Sequence, residues 1–124
     1  MDLLCGRHVG IEAGLASAAD AERLVRLPGH QNVFRVLIEI GQQDLGNALR
    51  IADDVVSVLD RAHVRRQILL HGFDATVWPF VAEARRRRWS TRIGLEDGKA
   101  LPDGTEASGN AALVAAAAAI YRGA

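Results

Sequence analysis

Residues 33–71 read VFRVLIEIGQQDLGNALRIADDVVSVLDRAHVRRQILLH. The stretch changes period twice. VFRVLIEI (33–40) is short and rich in Val, Ile and Leu, which predicts a strand. From Asp44 to Ala62 the apolar residues Leu45, Ala48, Leu49, Ala52, Val55, Val56 and Leu59 recur at three- and four-residue spacing. That spacing puts them on one face of a helix. RQILLH (66–71) is again strand-like. Strand, helix, strand in immediate succession is a βαβ unit, and such a unit sets two strands parallel. The near-continuous apolar runs VLIEI and QILL fit strands covered on both faces.

The pattern repeats to either side. HVGIEA (8–13) and TRIGLE (91–96) read as further strands. Ser17 precedes a helical segment, Ala18–Arg26, with Asp20 three residues on as in a capping box, and Pro28–Gly29 stops it. Pro79 is the expected opening of a third helix running to about Arg88. Ser108 or Asn110 is the expected cap of a fourth, whose AALVAAAAAI run favours helix. The order is β-α-β-α-β-α-β-α, with strand centres roughly 25 to 33 residues apart. Alternation of this kind predicts an α/β fold with a parallel sheet.

The strand ends carry the chemistry. In this reading the first ends in Glu12, the second in Glu39, the third in His71 and the fourth in Glu96–Asp97. Ligands bind at the C-terminal edge of parallel sheets. A Glu in an apolar strand is costly to bury unless it is paired, metal-bound or solvated in a cleft. Each residue also has a plain structural reading. Glu39 could pair with Arg35 or another arginine, His71 could be a satisfied turn histidine, and Glu12 could accept loop N–H bonds. Glu96 and Asp97 are adjacent, so on a strand they point to opposite faces, and Arg92 has the parity of Glu96.

Bulk properties narrow the classes. The chain has 124 residues, 15 basic and 15 acidic, so the formal net charge is zero. That length suits one domain with a single core, and the charge balance gives no reason to expect a nucleic-acid or membrane partner. The run Arg85–Arg88 reads as a solvated helix end, where cations suit the helix dipole. The lone Cys5 excludes an internal disulfide framework. No apolar run approaches the ~20 residues needed to span a bilayer. MDLLCGRH lacks a signal-peptide layout, so the cytoplasm is the expected compartment. Carboxylate and imidazole are good ligands for zinc, yet H-x-H, H-E-x-x-H and C-x-x-C spacings are absent, as are phosphate loops and G-x-S-x-G.

RIGLED (92–97), followed by LPDG and SGNAALVAAA, resembles the C-terminal signature of the β-keto acid cleavage enzymes, the family of the 3-keto-5-aminohexanoate cleavage enzyme. VGIEAGLASAADAERL, FRVLIEI and LLHGFDATVWP also resemble segments of that family, the last an HG…TWP loop of one subgroup. The resemblance runs over essentially the whole chain. It implies a (β/α)8 TIM barrel, with this chain as four consecutive βα units matching its C-terminal half, one domain over residues 1–124. It implies a divalent metal, usually zinc, and a reaction that condenses a β-keto acid with acetyl-CoA and releases acetoacetate and a new acyl-CoA. Residue by residue, it implies that Glu96 matches the metal-ligand glutamate, and that Asp97 and Arg92 match the pair that handles the proton. Glu12, Glu39 and His71 are candidates for substrate contact at the same barrel mouth.

The resemblance also implies a difference. Family members are about twice this length, as suits a barrel of ~250 residues. Their two metal-binding histidines lie in an H-x-H motif of the other half, which this chain lacks. A half barrel has open sheet edges, so the expected partner is a second copy or a separate N-terminal half. Two other readings remain open from the residues. One is a non-catalytic remnant that self-associates through the open barrel face. The other is an unrelated small metal-binding α/β protein using Glu12, Glu39, His71 and Glu96 together.

Overall fold

The computed structural model describes residues 10–123. His8 and Val9 of the expected first strand lie outside them. Strands β1 (Glu12–Leu15), β2 (Arg35–Ile40) and β3 (Gln67–Gly72) form one parallel sheet in the order β1-β2-β3. Helices α1 (Ala18–Val25), α2 (Leu45–Arg61) and α3 (Val77–Arg87) each follow one strand, and α4 (Asn110–Arg122) comes last. The fold is α/β, with a three-stranded parallel sheet and helices.

Local chemistry sets the helix ends. The Ser17 hydroxyl accepts from Asp20 N–H at 3.2 Å, and the Asp20 carboxylate reaches back to Ala16 N–H at 2.8 Å. This is the capping-box exchange with its return bond one residue early. Asp44 caps α2 by accepting from Asn47 N–H at 2.9 Å. The third helix starts at Val77 rather than Pro79. Pro79 sits inside the first turn, where no N–H is required. Neither Ser108 nor Asn110 caps α4. Gly109 holds the N-cap position without a side-chain bond, and Asn110 is already helical.

The fourth strand expected over 91–96 does not form. Ser90 makes a single parallel bridge to Leu69, with Ser90 N–H donating to the Ile68 carbonyl and Leu70 N–H to the Ser90 carbonyl. The next residue bonds through its side chain, as Thr91 Oγ1 donates to the Leu70 carbonyl at 2.8 Å. Gly94 then opens a turn that Asp97 N–H closes on the Gly94 carbonyl at 3.0 Å. Glycine weakens a strand, and this one ladders to β3 at one residue only.

The two faces of the sheet differ. Ala13, Leu15, Val36, Ile38, Ile40, Ile68 and Leu70 share one parity and enter a core with Ala21, Ala48, Ala52, Val55, Leu59, Phe80 and Ala84 of the helices. Each large aliphatic side chain so buried contributes about 1.5–3 kcal/mol relative to exposure. The opposite parity holds Glu12, Gly14, Arg35, Leu37, Glu39, Gln67, Leu69 and His71, none of which joins that core. The expectation of two apolar faces is therefore corrected: the helix-facing side is apolar, and the other alternates polar groups with Leu37 and Leu69.

Candidate functional site

Register brings two of the expected strand-end residues together. Glu39 of β2 is paired with His71 of β3. Their side chains emerge on the polar face, and His71 Nε2 lies 3.2 Å from Glu39 Oε2. The turn after Thr91 adds Asp97, whose Oδ2 is 3.6 Å from His71 Nδ1. Arg92 closes the circuit. Its Nε is 4.0 Å from Asp97 Oδ2 and its Nη2 is 4.0 Å from Glu39 Oε2. Glu39, His71, Asp97 and Arg92 thus form a ring of charged and polar groups at the C-terminal edge of the sheet.

Exposure divides the ring in two. The side chains of His71 and Asp97 are 2% and 3% exposed, those of Glu39 and Arg92 36% and 44%. Asp97 is pinned through its backbone. Its N–H closes the turn on Gly94, and its carbonyl accepts from Asp74 N–H at 2.8 Å. The Phe73 ring meets the imidazole edge-on, with centroids 5.2 Å apart. Arg92 makes only the two long ion pairs and no hydrogen bond among the described residues. Its N–H donors stay available to an anion in the mouth.

The remaining candidates stand elsewhere. Strand parity groups Arg92 with Glu96, but the turn at Gly94–Asp97 ends the strand and brings Arg92 to Asp97 instead. Glu96 is exposed on that turn and makes no ion pair among the described residues. Its carboxyl folds back over Gly94, where an added Cβ would lie 2.7 Å from the carboxyl carbon. Glu12 does not end β1 but begins it, opposite Arg35 in register, and its carboxylate pairs with that arginine. It therefore sits at the far end of the sheet from Glu39 and His71.

Three supporting residues carry no obvious signal in the sequence. Gln43, in the loop after β2, donates to the Phe73 carbonyl at 2.8 Å and accepts from Ala75 N–H at 2.9 Å. It clamps the loop after β3 beside the ring; a polar side chain in a loop at this edge was the one available hint. Asn110 accepts from Leu95 N–H at 2.9 Å, so the side chain expected to cap a helix instead ties the RIGLED turn to α4. Gly14 leaves room for Glu39, since a Cβ there would stand 3.2 Å from Glu39 Oε1.

Among the described residues, no three His, Cys, Asp or Glu side chains are grouped so that they could hold a metal ion. The described residues therefore do not make a metal site around Glu96 by themselves. No helix among the described residues is long and apolar enough to cross a membrane.

Comparison with known proteins identifies a family. No curated protein and no solved structure matches the chain. The family model described as beta-keto acid cleavage enzyme matches residues 18–124, which include β2, β3, all four helices and the whole ring. The chain belongs to the beta-keto acid cleavage enzyme family.

Proposed function

We propose that the chain supplies the C-terminal half of a (β/α)8 barrel, one domain over residues 1–124, that cleaves a β-keto acid with acetyl-CoA as co-substrate. Acetoacetate and a new acyl-CoA are the products in this reading. The observation that carries it is the Asp97–Arg92 pair at the C-terminal sheet edge, in a chain of this family. A buried carboxylate beside a guanidinium suits abstraction of the proton between the two carbonyl groups of a β-keto acid. The C–H bond breaks, the proton passes to Asp97, and its electron pair is left on the substrate as an enolate. Arg92, half exposed with free donors, faces the negative charge of the substrate carboxylate and of that enolate. Glu39 and His71 stand in the same mouth.

The family is generally metal-dependent. Glu96 is the residue of this chain that we assign to a divalent metal, zinc in this reading, with the other ligands coming from outside residues 10–123. The described residues do not complete that metal's site. The same incompleteness makes a partner part of the proposal, either a second copy or a separate N-terminal half barrel.

Turnover of β-keto acids with acetyl-CoA tests the reading, with the chain alone and with an N-terminal half supplied. Asp97→Asn and Arg92→Gln should each lower kcat/KM by about 10²–10⁴-fold, the usual range for a lost proton-transfer group. Turnover that survives both substitutions would remove them from the chemistry. Absence of any turnover, together with absence of bound zinc, would favour a non-catalytic half barrel that self-associates.

A further inference from the structure

His71 is nine-tenths buried and more, yet one of its ring nitrogens has no hydrogen-bond partner. The Nε2 side is settled by its neighbour. An ionised carboxylate can only accept, so the 3.2 Å contact to Glu39 Oε2 requires the hydrogen on Nε2. In the neutral ring Nδ1 then presents a bare lone pair. What it faces is Asp97 Oδ2, 3.6 Å away, which is also buried and also without a hydrogen-bond partner. With the ring neutral and the carboxylate ionised, two acceptors face each other across a gap slightly too wide for a bond, and a hydrogen brought to either atom would join them. Buried polar atoms left in this state are uncommon and costly.

We propose that His71 is a positioning residue that acts through Asp97: Glu39 anchors the imidazole, and its Nδ1 is held ready to accept a hydrogen from the Asp97 carboxyl. The inference rests on the reading above, in which Asp97 takes the proton of the β-keto acid. Once that C–H bond has broken and the new O–H bond has formed on Asp97, Oδ2–H donates to Nδ1 and both orphaned atoms are satisfied. The product of proton abstraction is thereby stabilised relative to the starting state. Phe73 packs edge-on against the ring, and the absence of a side chain at Gly14 leaves room for the Glu39 anchor. His71 touches no substrate in this arrangement, so its role differs from the substrate contact expected of a strand-end histidine.

The full chain labelled with ¹⁵N-histidine tests this through the ring nitrogens. The His71 ring should populate one tautomer, hydrogen on Nε2. Glu39→Gln should move the Nε2 resonance, and Asp97→Asn, whose amide can donate to Nδ1, should move the Nδ1 resonance. Both shifts should exceed any at His30 and His63. A His71 ring that averages its tautomers, or an Nδ1 unmoved by Asp97→Asn, overturns the proposal. Both substitutions are near-isosteric, so the outcome does not depend on the fold surviving loss of the imidazole. In turnover assays His71→Gln should lower kcat tenfold or more at unchanged KM. It should add nothing to Asp97→Asn, because residues acting as one unit are not additive. Multiplicative losses would show that His71 acts independently of Asp97 and would also overturn the proposal. Absence of turnover in the unaltered chain would count against the proposed function alone, and the ring spectra would still decide the place of His71.

Discussion

At Gly72 the motif HGFDAT has a steric reason. A Cβ there would stand 2.9 Å from Thr76 Cβ and 3.1 Å from Phe80 Cδ2. Thr76 cannot move aside without breaking its bonds to the Phe73 N–H and carbonyl, both 3.1 Å. Phe80 is fully buried. Gly72→Ala should therefore cost about 1–3 kcal/mol, the usual range for an overpacked core. Urea unfolding monitored by circular dichroism checks it, and an unchanged midpoint would show that the Thr76 turn yields freely. The ring residues were legible in part. Strand-end position singled out Glu12, Glu39, His71, Glu96 and Asp97, and strand parity added Arg92 as the companion of Glu96. The contacts among them were not readable, because they depend on register between β2 and β3 and on a turn at Gly94 that strand parity does not foresee. Glu12 shows the reverse case. Its partner Arg35 is 23 positions away in sequence and becomes its neighbour only through strand pairing.

At the scale of elements, the arginine run shows how much a charge cluster depends on its neighbours. Arg86 and Arg87 both reach Glu83 one turn earlier, Arg87 also pairs with Asp53 of α2, and its guanidinium lies 4.7 Å from the Trp89 ring centroid. Arg85 donates to the Tyr121 carbonyl at 3.0 Å, placing a cation at the C-terminal end of α4. The run ties α3 to α2 and α4 as well as meeting solvent. The hydrogen bond from Arg86, aided by the charge of Arg87, holds the Glu83 carboxyl below its ordinary value against the opposing effect of burial. The folded state then binds this proton less readily than the unfolded chain. The pair's stabilisation is fully present above the unfolded value of about 4.3 and is lost as pH falls through the folded one. Glu83→Gln should thus destabilise the protein at pH 7, with the difference from wild type narrowing below about pH 4. Thermal melts across that range check it, and a gap that widens in acid would refute the assignment.

At the scale of the whole molecule, the sheet is unevenly covered among the described residues. One edge is β1 and the other β3; beyond β3, Thr91, Arg92 and Ile93 line a groove of about 460 Å³ with Val114, Ala117 and Tyr121 of α4. Val114 and Tyr121 are 52% and 38% exposed, and Phe34 beside β1 is 60% exposed. Exposed strand edges flanked by apolar side chains favour association. Sedimentation should accordingly give a mass above the 13.3 kDa of one chain. A monodisperse 13.3 kDa species at micromolar concentration would argue against the half-barrel proposal.

Periodicity alone was enough for the three βα units, the direction of the strands and the apolar stripe of α2, because each depends on residues close in sequence. Strand-end position marked Glu39, His71 and Asp97 of the ring as unusual, along with Glu12 and Glu96, since carboxylates and imidazole seldom end apolar strands without a purpose. Three things required the chain to fold. The fourth strand became a turn because a single bridge to β3 cannot outweigh Gly94. Glu12 went to the far end of the sheet because register, not strand composition, decides which residues are neighbours. The approach of His71 Nδ1 to Asp97 Oδ2 exists only because segments 26 positions apart in the chain meet at one edge. Interactions within one turn of helix or one strand follow local sequence. A site built from three segments depends on how those segments are laid side by side.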